Sequence, residues 1–86
     1  MNEKLRFGDG TEADGRGLET DSRLFLYLYG MDIKTVFDLL INPENTMEIR
    51  WEQSESIRGK WTGYNTLMSV SVEREGMISA SLIRKK

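Results

Sequence analysis

Two side chains that most small active sites depend on are missing from this chain: it has no cysteine and no histidine in 86 residues. Without cysteine there is no disulfide framework, no thiolate metal site and no thiol nucleophile. Without histidine the usual general base at neutral pH and the commonest transition-metal ligand are gone as well. Proline occurs once, at Pro43. No stretch approaches the roughly 18 apolar residues that would span a bilayer, and no membrane partner is expected. The opening Met1-Asn2-Glu3-Lys4-Leu5-Arg6 has no apolar run behind its charges, so no targeting segment is expected either. Charge of one sign is also scarce. Twelve basic residues stand against 14 acidic ones, a net of −2, which is not the field of a nucleic-acid-binding protein.

A chain of this length has room for one core and predicts a single domain over residues 1–86. Leu5 and Phe7 alternate with Lys4 and Arg6, and Gly8-Asp9-Gly10-Thr11 supplies turn residues for a hairpin. Asp14-Gly15-Arg16-Gly17 is a second turn signal, after which Leu18 can begin an irregular strand. Arg23 to Tyr29 alternates strictly, with Leu24, Leu26 and Leu28 on one side and Phe25, Tyr27 and Tyr29 on the other. Ile33, Val36, Phe37, Leu40 and Ile41 recur at helical spacing. Asp32 is placed to cap that helix, Met31 to staple against Val36, and Pro43 to end it.

Beyond the Asn42 to Thr46 turn, Met47, Ile49 and Trp51 alternate with charges as the buried face of a strand. Residues 53–63 resist assignment, since Gly59 and Gly63 interrupt them. Thr66 to Glu73 and Met77 to Arg84 flank a turn at Arg74-Glu75-Gly76. Met68, Val70 and Val72 are expected to face Ile78, Ala80 and Leu82 inside, with Ser69, Ser71, Ser79 and Ser81 in water. The expected fold is therefore α+β, one helix packed on a mainly antiparallel sheet of about five or six strands.

Few residue constellations carry chemistry. The N-terminal carboxylates fail as a calcium loop: from Asp9, the fifth position is Ala13, the sixth is Asp14 where glycine is required, and the twelfth is Thr20 where a bidentate glutamate belongs. Gly8-x-Gly10 and Gly15-x-Gly17 complete neither a dinucleotide fingerprint nor a phosphate loop. No catalytic residue, metal ligand or cofactor is expected. The one segment where cations, aromatic rings and flexible backbone coincide holds Arg50 and Trp51, then Arg58, Lys60, Trp61 and Tyr64. Stacking on a ring plus capture of an anionic group would suit a small anionic ligand such as a nucleotide, with Arg50, Arg58, Lys60, Trp61 and Tyr64 as its site. The opposing reading makes Trp61 and Tyr64 core and leaves the cations to solvate a loop. Phe25, Tyr27 and Tyr29 form a candidate interface, because one helix covers one face of a sheet and the other must meet a second sheet, a second subunit or a partner. A homo-oligomer is expected on that ground.

The order of Phe7-Gly8-Asp9-Gly10-Thr11-Glu12, Leu24-Phe25-Leu26, Val36-Phe37, Asn42-Pro43-Glu44-Asn45-Thr46-Met47-Glu48-Ile49 and Gly63-Tyr64-Asn65-Thr66-Leu67-Met68-Ser69-Val70 resembles a group of small phage and prophage proteins, often encoded near tail genes. The chain departs from that pattern by inserting Gly15-Arg16-Gly17 and by placing Asn65 where threonine is common. The resemblance implies a phage-borne accessory protein and supplies no catalytic residue. The leading expectation is a non-enzymatic protein in the host cytoplasm that occupies a host factor or a small signalling ligand in counter-defence. The alternative is a structural or assembly component of the virion, meeting a phage protein or copies of itself.

Overall fold

A computed structural model describes residues 3–53 and 56–86, the side chains of 56–58 excepted. The fold is α+β. Seven strands, β1 (Glu3–Arg6), β2 (Glu12–Glu19), β3 (Arg23–Tyr29), β4 (Glu48–Gln53), β5 (Ser56–Thr62), β6 (Thr66–Val72) and β7 (Ile78–Ile83), make one sheet. Its order is β5-β4-β1-β2-β3-β7-β6, and every neighbouring pair is antiparallel. Between β3 and β4 lie helix α1 (Ile33–Leu40) and the single turn α2 (Pro43–Thr46).

Local chemistry sets the connections. The β1–β2 turn closes with the Asp9 carboxylate accepting from the Thr11 amide at 2.8 Å and the Phe7 amide donating to the Thr11 carbonyl. Asp32 caps α1, its carboxylate accepting from the Thr35 amide at 2.7 Å. That amide holds the Asp32 carboxyl below its ordinary range. Asn42 caps α2 in the same manner, and Pro43 occupies its first turn, where a missing N–H is harmless.

Where about five or six strands are expected the sheet has seven, and strand structure is added at two places with separate origins. Asp14 to Gly17 is not a turn but the middle of β2, paired with Tyr29 to Leu26 of β3. Its glycines point inward and leave space: a Cβ on Gly17 would come 2.5 Å from the Trp61 ring. Trp61 lies on β5, which β4 and β1 separate from β2, about 14 Å away in a flat sheet. An indole touching Gly17 therefore requires the sheet to curl strongly toward its inner face. The other added strand is β5, whose Gly59 accommodates the Trp51 ring just as Gly17 accommodates Trp61.

The core fills this curl. Leu5, Leu24, Leu26, Leu28, Ile49, Tyr64 and Leu82 are fully buried, with Phe7, Trp61, Ile78 and Ala80 around them. Helix α1 packs chiefly against β6 and α2. It buries Val36, Leu39 and Leu40, while Ile33, Phe37 and Ile41, expected inside, are 40–48% exposed. Met47 is also exposed, because it ends α2 and does not belong to β4. On β6 a register shift between Leu67 and Ser69 passes over Met68, so Leu67 packs on the core and Met68 and the edge residue Val72 face out. Ser81, expected in water, is buried and hydrogen-bonds Ser69 at 2.7 Å.

Candidate contact surface

Period-two alternation sends every second residue of the sheet to its outer face, and that face divides into two halves. Over β4, β1, the start of β2 and Lys60 of β5, the described outward residues include charges matched across the strands. Lys4 pairs with Asp14, Arg6 with Glu12 and Glu52, and both Arg50 and Lys60 with Glu48. The Arg50 hydrogen bond, with the Lys60 charge behind it, holds the Glu48 carboxyl below its ordinary range.

Over the rest of β2, β3, β7 and β6 the outward residues are rings, hydroxyls and unmatched charges. Register places them in two cross-strand rows: Arg16, Tyr27, Ser79 and Ser71, and beside it Leu18, Phe25, Ser81 and Ser69. Tyr29 extends the line of rings opposite Asp14. Arg16 lies over the Tyr27 ring and Arg23 over the Phe25 ring, each 5.9 Å from the centroid. Neither arginine has a carboxylate partner among the described residues. The Ser71 and Ser79 hydroxyls lie 3.0 Å apart, and both donate to one Glu73 carboxylate oxygen, at 3.0 and 2.9 Å. Glu73 likewise has no cation beside it among the described residues. Between Glu73 and the rings runs an open groove lined by Phe25, Tyr27, Met77, Ser79 and Ser81. The three rings are half-buried, so part of each remains open on this face.

The residues proposed to hold an anionic ligand are not brought together. On β5 the alternation that turns Lys60 outward turns Trp61 inward. Arg50 and Lys60 stand on the outer face, bound to Glu48. Trp61 is 8% exposed and stacks on Trp51 at 5.9 Å between centroids, while Tyr64 is fully buried. The Arg58 side chain lies outside the described residues. Tyr64 belongs to a closed cluster: its hydroxyl donates to Glu19, and the Arg84 guanidinium sits 4.1 Å above its ring. Arg84 in turn donates to Glu19 at 3.1 Å and to the Thr62 carbonyl at 2.8 Å. Burial first, and the Glu19 hydrogen bond second, push the Tyr64 hydroxyl up to about 12.

Sequence reasoning identified the rings and missed Arg16, Arg23 and Glu73. Reading Gly15-Arg16-Gly17 as a turn put Arg16 in a loop, although inward glycines alternating with outward polar residues are also what a strand beneath a large ring needs. No group of three or more metal-ligating side chains is arranged around a common point among the described residues. No helix there is long and apolar enough to cross a membrane. The chain matches no family model, and no curated protein or solved structure is significantly similar to it.

Proposed function

We propose that this chain is a non-enzymatic binding protein that works by protein–protein contact through the outer face of β2, β3, β7 and β6. The observation that carries this reading is the pairing of half-open rings with arginines that no carboxylate satisfies among the described residues, next to a half-sheet whose described charges are matched. Rings with a polar edge and arginine are the residues in which interface energy concentrates, because a ring buries a large area with few torsions to freeze and a guanidinium both stacks on rings and donates several hydrogen bonds. A protein partner, and not a small anion, suits the geometry, since the rings that would stack on a nucleotide are locked in the core. The resemblance to phage accessory proteins supplies the setting, a host factor occupied during counter-defence. The same surface also serves the second reading, an assembly component of the particle, which Leu18 favours by exposing a bare aliphatic chain beside Phe25.

The test compares the native chain with Tyr27→Glu in host cells. A protein that survives purification with the native chain in stoichiometric amount, and leaves with Tyr27→Glu at an unchanged melting midpoint, is the expected result. A partner that stays with Tyr27→Glu, or a midpoint that collapses, overturns the reading. Mass spectrometry of purified phage particles separates the two settings: absence from particles is expected for the counter-defence role, presence for the assembly role.

A further inference from the structure

We propose that the outer face also takes a second copy of this chain, two sheets stacking about a two-fold axis that lies in the interface parallel to the strands, between β3 and β7. This rests on reading the face as a protein-contact surface and names an occupant for it.

Cross-strand register makes this face self-complementary. Arg16, Tyr27, Ser79 and Ser71 stand in one row perpendicular to the strands. Glu73 belongs to the far end of that row, because its carboxylate is held by the hydroxyls of Ser71 and Ser79. A row with an unmatched cation at one end and an unmatched anion at the other is self-complementary under a two-fold along the strands. Such an axis keeps each position along the strand and exchanges the two ends of the row. Arg16 of one copy then faces Glu73 of the other, twice, by symmetry.

The position of the axis also follows from contacts already made. Arg16 leans over the Tyr27 ring, toward β3, and Glu73 leans over Ser79, toward β7. The midpoint between the two charges falls between those strands. Tyr27 lies next to the axis, where the rings of the two copies pack on each other and on the open groove of Phe25, Met77 and Ser81. The other half of the outer face offers no comparable pairing, because Arg6, Arg50 and Lys60 already have partners within their own sheet.

Four strands at about 4.8 Å spacing and six residues at about 3.3 Å give a field of roughly 19 by 20 Å, below the standard size of a specific interface. A pairing over so small a field is weak and reversible, and it yields the face to a tighter partner when the protein is dilute.

Sedimentation of four proteins tests this: the native chain, Arg16→Glu, Glu73→Arg, and the double exchange. The native chain dimerises at micromolar concentration. Each single change sets like charges against each other at two symmetric points and weakens the dimer by at least about tenfold, and the double exchange restores it to within about threefold of native. The exposed positions keep all four folded, which thermal melting verifies. A native chain that stays monomeric at the highest soluble concentration overturns the proposal, as does a dimer indifferent to both single changes or not rescued by the exchange. If the native chain is monomeric while Tyr27→Glu still releases a foreign protein, the second copy is excluded and the contact surface stands; if Tyr27→Glu releases nothing, the surface falls too.

Discussion

Cations meet aromatic rings in two regions of this protein, and the regions differ in whether the cation has anything left to bind. At the inner end, Arg84 covers Tyr64 at 4.1 Å, and both are tied to Glu19, with the Thr62 carbonyl taking a further donor. On the outer face, Arg16 and Arg23 cover Tyr27 and Phe25 from 5.9 Å with no carboxylate beside them. The first cluster is closed. It locks the segment after β7 to the end of β2, and its ring is core. The second is open and keeps two guanidinium groups and three ring faces available. Residue type alone does not distinguish a site from a core; the distinction lies in which hydrogen-bonding capacity the fold has already used.

The difference is broken most severely from the inner side. Trp61→Ala removes a ring that fills the curl of the sheet and should cost about 3–5 kcal/mol, read by chemical denaturation. A loss under about 1 kcal/mol would return Trp61 to the list of surface ligands. Gly17→Ala forces a methyl group against the same ring and should cost about 1–3 kcal/mol, whereas Gly10→Ala, which meets no neighbour in the β1–β2 turn, should show only the strain of its positive φ.

The closed cluster also has a pH signature. The Tyr64 hydroxyl titrates near 10 in the unfolded chain and about 12 in the fold. Over that interval the unfolded chain gives up a proton that the folded chain keeps. The stability contributed by keeping the buried hydroxyl protonated is therefore whole below pH 10 and drains away as pH rises toward 12. In Tyr64→Phe that part of the alkaline loss is absent, which denaturation curves at pH 9 and pH 11.5 would show. The smallest effects on stability belong to the open cluster. Tyr27→Ser and Arg16→Ala should each change stability by no more than about 0.5 kcal/mol, because both stand on the outer face and meet each other only loosely, at 5.9 Å. A larger loss in either would mean that the outer row is structural.

Much of this architecture is legible in the residue order. The strict alternation of Leu24 to Tyr29, the Asp32 cap, the Pro43 stop and the Arg74-Glu75-Gly76 turn each depend on chemistry within a few residues of one another. The curl does not. It arises because Trp61 meets Gly17 across 44 positions of chain and two intervening strands. The same long-range contact goes with Gly15-Arg16-Gly17 being a strand whose glycines leave room for the ring. The candidate site was legible in part for the same reason. Its rings come from one strand, while Arg16 and Glu73 join them only through register with β2 and with the β6–β7 turn.

The central claim is that Phe25, Tyr27 and Tyr29 are covered by protein when the molecule is at work. Hydroxyl-radical footprinting of the native chain across a concentration series reads this directly, with Phe37, an exposed ring on α1, as the internal reference. The row should lose reactivity as concentration rises through the micromolar range while Phe37 does not change. Equal labelling of the row and of Phe37 at every concentration, with and without a purified partner, would contradict the account.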